Sequence, residues 1–260
     1  MSRSHREGFV APLSSPAYGP PPYEMVNCKM LLVEFETDRE EIERLTPEPL
    51  APVPGNKLYA FVADNSQPPA SMHFHEAAIL QQVSFEGRCG VTVPYIWTSN
   101  DTAMLAGREV YGMGKLICDP DPAVRIEANE VFGEVRRFGQ TMFRLNLVLE
   151  RRAEATELPF GTSWVFVRKV PSPDPERRGL KQVVWIELTD FVKKELWAGS
   201  GWADFQYPGS SGIHLIRPRK VTAAWYGQFS WVLGWGKILR EEEVWETEAV
   251  NAGLTGSSAR

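Results

Sequence analysis

The chain has 260 residues, 43% of them hydrophobic and 23% charged, with a formal net charge of −5. This composition is typical of a globular protein with a large core, and the acidic balance argues against nucleic acid, which binds clustered basic surfaces. No apolar run is long enough to span a membrane, and the three cysteines lack CxxC spacing, so we expect a cytoplasmic protein with no membrane and no nucleic-acid partner.

In chain order, residues 1–23 are rich in proline, serine, glycine and tyrosine, which predicts an extended arm rather than a domain. An apolar strand is predicted at 29–35. A helix should follow, beginning at Thr37 or Asp38, which are good N-terminal caps, and ending before Pro47.

Segments rich in β-branched and aromatic residues dominate the rest of the chain. Gly87 and Gly139 indicate hairpin turns, a second helix is predicted from Asn100 to Arg108, and the proline-rich stretch 171–180 is interpreted as a solvated hairpin tip. We therefore predict one β-rich domain over 24–249 with a few short helices, and a disordered tail at 250–260. The predicted strands are 57–63, 75–85, 90–97, 130–138, 141–150, 161–170, 182–188 and 221–232.

The most informative segment is GREVYGMGKLICDP, which runs from Gly107 to Pro120 and contains Lys115. Glycines before Lys115 allow the backbone to approach a ligand, and the apolar residues Leu116 and Ile117 would strip water from its amine. Desolvation disfavours the charged ammonium form, and a neutral amine can attack a carbonyl carbon. By itself the segment also fits an ordinary surface lysine, so local composition leaves both interpretations open.

Four blocks resemble the acetoacetate decarboxylase family in order and spacing, and a fifth, TAAWYGQFSW, resembles it near the C-terminus. The resemblance implies a β-rich α+β fold, namely an antiparallel, closed or cone-shaped β-barrel with a few outer helices, assembled as a homo-oligomer. It also implies a cofactor-independent lyase that uses no metal and acts on a small oxo acid. The four blocks are APLSSPAYGPPPY (Ala11–Tyr23), TDREEIERLTPEPL (Thr37–Leu50), HEAAILQQVSFEG (His75–Gly87) and GREVYGMGK (Gly107–Lys115).

Position by position, Lys115 falls where the family has its Schiff-base lysine, and Glu76 where it has an active-site glutamate. The family's second lysine is replaced here by Leu116, its carboxylate-binding arginine by Cys28, and its other acidic site residue by Phe61. These differences leave two reactions almost equally favoured. One is decarboxylation of a β-keto acid, and the other is aldol condensation and dehydration of a pyruvate-type acid with an aldehyde.

Further candidates are expected to surround Lys115. Tyr226 is predicted to act on a substrate hydroxyl or carboxylate, as a tyrosine in this region does in aldolase-like relatives, and Gln228 follows it on the same strand. The remaining candidates either line the pocket or, for Arg108 and Glu109, form a structural ion pair; they are Trp97, Arg108, Glu109 and Met113.

Two rival interpretations come from other functional classes. His73 and His75 alternate on a predicted strand and share a face, which would suit a metal-dependent, cupin-like barrel enzyme if His214 or other ligands joined them. The second rival is a small-molecule-binding barrel that kept the pocket and lost the reaction. We expect the histidines to border the pocket or the core, and we predict no metal at the site.

Overall fold

The computed structural model describes residues 8–65, 73–120, 124–206, 213 and 216–245. The helical elements are α1 (Arg39–Leu45), α2 (Asp101–Ala106), a π-helical turn (Gly107–Tyr111) and a 3₁₀ turn (Ala155–Glu157). The strands are β1 (Tyr23–Glu36), β2 (Ala51–Pro52), β3 (Lys57–Asn65), β4 (Phe74–Phe85), β5 (Arg88–Thr98), β6 (Lys115–Ile117), β7 (Val124–Glu127), β8 (Glu130–Arg137), β9 (Gln140–Val148), β10 (Arg151–Arg152), β11 (Ser163–Val170), β12 (Gly179–Gly199), β13 (Gly201–Phe205), β14 (Lys220–Leu233) and β15 (Lys237–Val244).

The strands form two sheets. The large sheet has eleven strands, with the order β2-β4-β3-β1-β14-β12-β11-β5-β6, further pairing of β4 with β5, and β10 and β15 joined to β12. The small sheet has the order β13-β9-β8-β7. No helix among the described residues is both long and apolar enough to cross a membrane.

The predicted antiparallel closed barrel is correct only in part, because the large sheet is mixed. Strand β5 pairs in parallel with both β6 and β11, and its strand pairing with β11 consists of the single pair Val91 and Trp164. The parallel pairing with β6 follows from the chain path, since α2 and the π-helical turn carry the chain back before β6 begins.

Most predicted elements coincide with observed ones. Each predicted strand falls on a strand of the structure, and the two predicted hairpin turns join β4 to β5 and β8 to β9. In each turn two consecutive residues have positive φ, namely Glu86 and Gly87 in the first and Phe138 and Gly139 in the second. Two-residue hairpin turns of type I′ require this conformation. The proline-rich stretch links the antiparallel strands β11 and β12, which confirms the hairpin. The short strands β2, β6, β7, β10, β13 and β15 were not predicted.

The large sheet separates two apolar clusters, because side chains alternate between its faces. On β1, Leu32 belongs to one cluster, whereas Leu31 and Val33 belong to the other. The small sheet packs on the Leu31 side through residues such as Phe143 and Val135. We call the Leu32 side the inner face and the Leu31 side the outer face.

The described part of the arm, residues 8–22, lies against the domain. Tyr18 is buried, and the ring of Phe9 stands edge-on to both Tyr18 and Trp235. The predicted tail at 250–260 lies outside the described residues.

Candidate active site

Lys115 is the first residue of β6 and lies beside Ile96 of β5. It is 6% exposed, and its Nζ donates to Glu76 Oε2 at 3.0 Å. The same Nζ lies 4.9 Å from the ring centroid of Phe74, which precedes Glu76 by two residues on β4. Lys115 is the only buried cation among the described residues. A cation in such surroundings depends strongly on its single carboxylate partner.

The apolar setting of Lys115 comes from other strands and from residues before it in the chain, rather than from Leu116 and Ile117 after it. Leu116 packs with the outer cluster, and Ile117 is 41% exposed. A cavity of about 20 Å³ adjoins the Lys115 side chain, which is room for about one water molecule. Its wall includes Tyr23, Met25, Phe74, Tyr111, Met113 and Leu233.

The hydroxyl groups in this wall are occupied. Tyr111 donates to the carbonyl of Gly234 at 2.9 Å, and Tyr23 donates to the carbonyl of Gly19 at 2.7 Å. Burial raises the pKa of Tyr23 to about 12, so its hydroxyl stays protonated at neutral pH. These two hydroxyl groups therefore offer the cavity no charged group.

Backbone contacts fix the position of Lys115. A Cβ placed on Gly107 would lie 2.8 Å from Lys115 Cδ, so only glycine leaves room for the lysine stem. Arg108 Nη1 donates to the Lys115 carbonyl at 3.1 Å. A Cβ placed on Gly114, the glycine next to the lysine in sequence, would have no neighbour within 4 Å. The close approach that the sequence suggested for nearby glycines therefore belongs to Gly107.

A larger apolar chamber opens on the same inner face. Its volume is about 320 Å³, and Trp231 in its wall is paired across β14 and β1 with Met25 in the wall of the Lys115 cavity. Cys28 and Phe61 also belong to the inner cluster. The aromatic residues that line the chamber are Phe160, Trp164, Phe191, Trp225, Phe229 and Trp231.

Three sequence candidates are not brought to Lys115, and their predicted place in the site is corrected here. Tyr226 and Trp97 pack in the outer cluster, because their neighbours Trp225 and Ile96 occupy the inner one. Gln228, two residues after Tyr226 on β14, shares the outer face and donates to the Asn27 carbonyl at 3.2 Å.

Arg108 and Glu109 are exposed and engage other groups rather than each other. The Glu109 carboxylate accepts from the Tyr18 hydroxyl at 2.6 Å, and its carbonyl accepts from Arg168 Nε at 2.9 Å. Burial, followed by the Glu109 carboxylate, raises the pKa of Tyr18. These contacts fasten the arm beside the π-helical turn, which is a structural explanation for Glu109.

The histidine pair lies on the other side of β4 from Glu76. His75 is followed by Glu76 and by Ala77, and Ala77 packs in the outer cluster. His73 shares this outer face by alternation, and His214 lies outside the described residues. The described histidines therefore offer no metal ligand on the inner face beside Lys115.

A model of the family "Acetoacetate decarboxylase (ADC)" matches residues 10–242. The chain belongs to the acetoacetate decarboxylase family. It is 25% identical over 239 residues to acetoacetate decarboxylase of Acidiphilium cryptum, covering 90% of this chain and 95% of the relative. It is 22% identical over 243 residues to acetoacetate decarboxylase of Ralstonia nicotianae, again covering 90% and 95%.

Solved structures of the acetoacetate decarboxylase type share the fold. Acetoacetate decarboxylase from Legionella pneumophila superposes with a TM-score of 0.81 at 17% identity, covering 91% of this chain and 95% of that one. The enduracididine biosynthesis enzyme MppR, complexed with the condensation product of pyruvate and imidazole 4-carboxaldehyde, gives 0.76 at 21% identity, covering 89% and 96%.

Two polar side chains of this acetoacetate decarboxylase family member were missed in the sequence. Asn65 is 1% exposed, pairs with Phe74, and has no hydrogen-bond partner for either amide atom among the described residues. Thr98 is fully buried opposite Glu76, and its hydroxyl likewise lacks a described partner. Asn65 could have been inferred from the sequence candidate Phe61, because residues 61, 63 and 65 of one strand share the inner face.

Proposed function

We propose that the protein is a cofactor-independent lyase that forms a Schiff base between Lys115 and the keto group of a small oxo acid. The observation that carries the proposal is the Lys115–Glu76 pair, 3.0 Å long and buried against Phe74. A lysine enclosed by apolar groups, with one carboxylate to take its proton, has the arrangement that an amine nucleophile needs.

The imine forms in two proton-balanced steps. Glu76 takes a proton from the Lys115 ammonium group, and the free amine attacks the keto carbon to give a carbinolamine. The carbinolamine then loses water, with the proton returned by Glu76, and leaves a protonated imine.

Two reactions can follow from this imine. A β-keto acid loses carbon dioxide, its bonding electrons pass to the imine, and the resulting enamine is protonated and hydrolysed. A pyruvate-type acid instead loses a proton from the carbon next to the imine, and the enamine attacks an aldehyde. Loss of water and hydrolysis of the imine then release an unsaturated oxo acid.

Of the two reactions, the chamber favours condensation with an aldehyde. Acetoacetate is too small to use a further 320 Å³ of aromatic-walled space, whereas an aryl aldehyde would bury its ring there. The bound condensation product in MppR, an enzyme of the same fold, supports this choice.

Asn65 and Thr98 are proposed to bind the substrate carboxylate or hydroxyl. Both flank the Glu76 position on the inner face, and both carry hydrogen-bond donors without a described partner. Leaving buried donors unpaired costs about 1–3 kcal/mol each, so a ligand that accepts from them gains in affinity. They would bind the substrate carboxylate in place of the family's arginine, whose position is occupied by Cys28 here. The homo-oligomer and the cytoplasmic location remain predictions.

Borohydride trapping tests the imine directly. The protein is incubated with pyruvate or acetoacetate, reduced and digested, and we expect the adduct mass on the peptide that contains Lys115. Lys115→Ala should lose both the adduct and all turnover, whereas Lys29→Ala, an exposed lysine on β1, should keep both. Absence of the adduct with every oxo acid tried would leave the non-catalytic binding barrel as the better description.

Two activity assays on the wild-type protein distinguish decarboxylation from aldol condensation. Carbon dioxide release from acetoacetate is compared with enone absorbance from pyruvate and benzaldehyde. We expect the faster rate with the aldehyde. Release of carbon dioxide without any enone would assign the protein to decarboxylation.

A further inference from the structure

The outer face of β3 and β4 carries a group of three potential metal ligands. Asp64 lies on the same side as His75, with which it pairs directly across the two strands. His73, two residues before His75, adds a second imidazole, and the rings of the two histidines lie 5.3 Å apart. One ligand atom from each of the three side chains can be chosen so that all lie within 4.8 Å of one another.

The distances within this group are compatible with an ion held between the side chains. Asp64 Oδ1 lies 3.5 Å from His75 Nε2 and 3.7 Å from His73 Nε2. Both distances exceed the range of N–H···O hydrogen bonds. Four ligands at about 2.0–2.1 Å around a tetrahedral Zn²⁺ are separated by roughly 3.4 Å from one another.

We propose that Asp64, His73 and His75 bind one Zn²⁺ per chain, with a solvent molecule as the fourth ligand. Two imidazoles and a carboxylate are ligands that Zn²⁺ prefers. The site is open to entry, since the His73 side chain is 62% exposed. Lys29, the residue paired with Asp64 on β1, is exposed, so its ammonium group can turn into solvent.

The location gives the ion a structural role. The ligands lie where β3 ends and β4 begins, and their described neighbours on the inner face include Asn65 and Phe74. A metal bridge between these strand ends would hold them at a fixed separation. Because the ligands point away from Lys115, the ion takes no part in the proposed imine chemistry.

Metal binding by the chelator-treated full-length protein tests the site. Zn²⁺ is titrated calorimetrically, and Co²⁺ replaces it as a probe whose visible absorption reports four-coordinate geometry. We expect one ion per chain and a rise in the thermal midpoint with Zn²⁺. Because loss of an outer hydrogen-bond partner already weakens metal sites about 10–100-fold, loss of a ligand should weaken binding by more than about 100-fold.

The variants are His73→Ala/His75→Ala and the milder Asp64→Asn, which keeps the size of the side chain. Glu43→Gln, which removes an exposed carboxylate of α1, is the matched control and should bind Zn²⁺ as the wild type does. Wild-type protein without saturable binding at one equivalent would overturn the proposal. Unchanged affinity in the folded Asp64→Asn or double-histidine variant would do so as well.

Discussion

The two faces of β3 and β4 differ in chemistry although the same strands form both. On the inner face, Glu76 meets Lys115 in apolar surroundings, and Asn65 lies next to Phe74. Asp64 directly precedes Asn65 in the sequence, and His75 directly precedes Glu76. These two side chains nevertheless lie on the outer face, where they form a partly solvated group. Alternation along a strand therefore lets neighbouring residues serve two separate sites.

The degree of burial explains the difference. The Lys115 side chain is 8% exposed, whereas those of His75, Asp64 and His73 are 20%, 25% and 62% exposed. A charge on the inner face interacts strongly with its one partner, while water screens charges on the outer face. Substitutions on the two faces should consequently affect different measurements.

Apart from replacement of Lys115 itself, the largest effect is expected for Glu76→Gln. Loss of its proton transfer should lower turnover by about 10²–10⁴-fold, while Lys115 still forms a trappable adduct at longer incubation times. Glu43→Gln, at an exposed carboxylate of α1, is the control and should keep normal turnover. Equal losses in both variants would show that the effect does not come from the Glu76 carboxylate.

A smaller effect is expected for Gly107→Ala. The added methyl group would lie 2.8 Å from Lys115 Cδ and displace the amine, and misplacement by about 1 Å costs roughly 10²-fold in rate. Gly114→Ala, at a position with no neighbour within 4 Å, should leave kcat unchanged. Steady-state kinetics on the two alanine variants measure kcat for each. Neither substitution changes a charged group, so the comparison tests the steric effect alone. Similar kinetics for both would contradict the close approach.

A third prediction concerns the unpaired amide of Asn65. Asn65→Leu should leave the free energy of unfolding unchanged or raise it by about 1–3 kcal/mol, because an unpaired buried polar group is removed. The same change should raise KM about tenfold or more, since a hydrogen bond to a charged substrate group is lost. Denaturant unfolding and steady-state kinetics on one preparation measure both quantities.

Glu43→Gln, at an exposed carboxylate of α1, should leave KM as in the wild type. A KM that does not change in Asn65→Leu would exclude Asn65 from substrate binding.

The smallest effect is expected for Tyr226→Phe, which should keep wild-type turnover. Burial raises the pKa of Tyr226 to about 12, so its hydroxyl stays protonated, but it faces the outer cluster. Turnover measured across the neutral pH range checks this. A drop as large as that of Gly107→Ala would place the Tyr226 hydroxyl at the reaction after all.

Particular residues show how far the sequence could be interpreted. Lys115 and Glu76 stood in motif blocks whose order indicated a family, and the structure brings their side chains together. Tyr226 and Trp97 were chosen for their chemistry without a way to decide their face. Gly107 was overlooked because its contact is with a side chain eight residues away, which no local pattern records.

The sequence alone determined the strand content, the two positive-φ hairpins and the family of the lysine segment, because these depend on local preferences and short motifs. Tertiary structure alone decided which face of each strand turns inward. Alternation fixes which residues share a face, but the pairing of β1 with β14 and the packing of the small sheet select the face that is enclosed. That choice put Asn65 on the same face as Lys115 and grouped Asp64 with the two histidines on the other side.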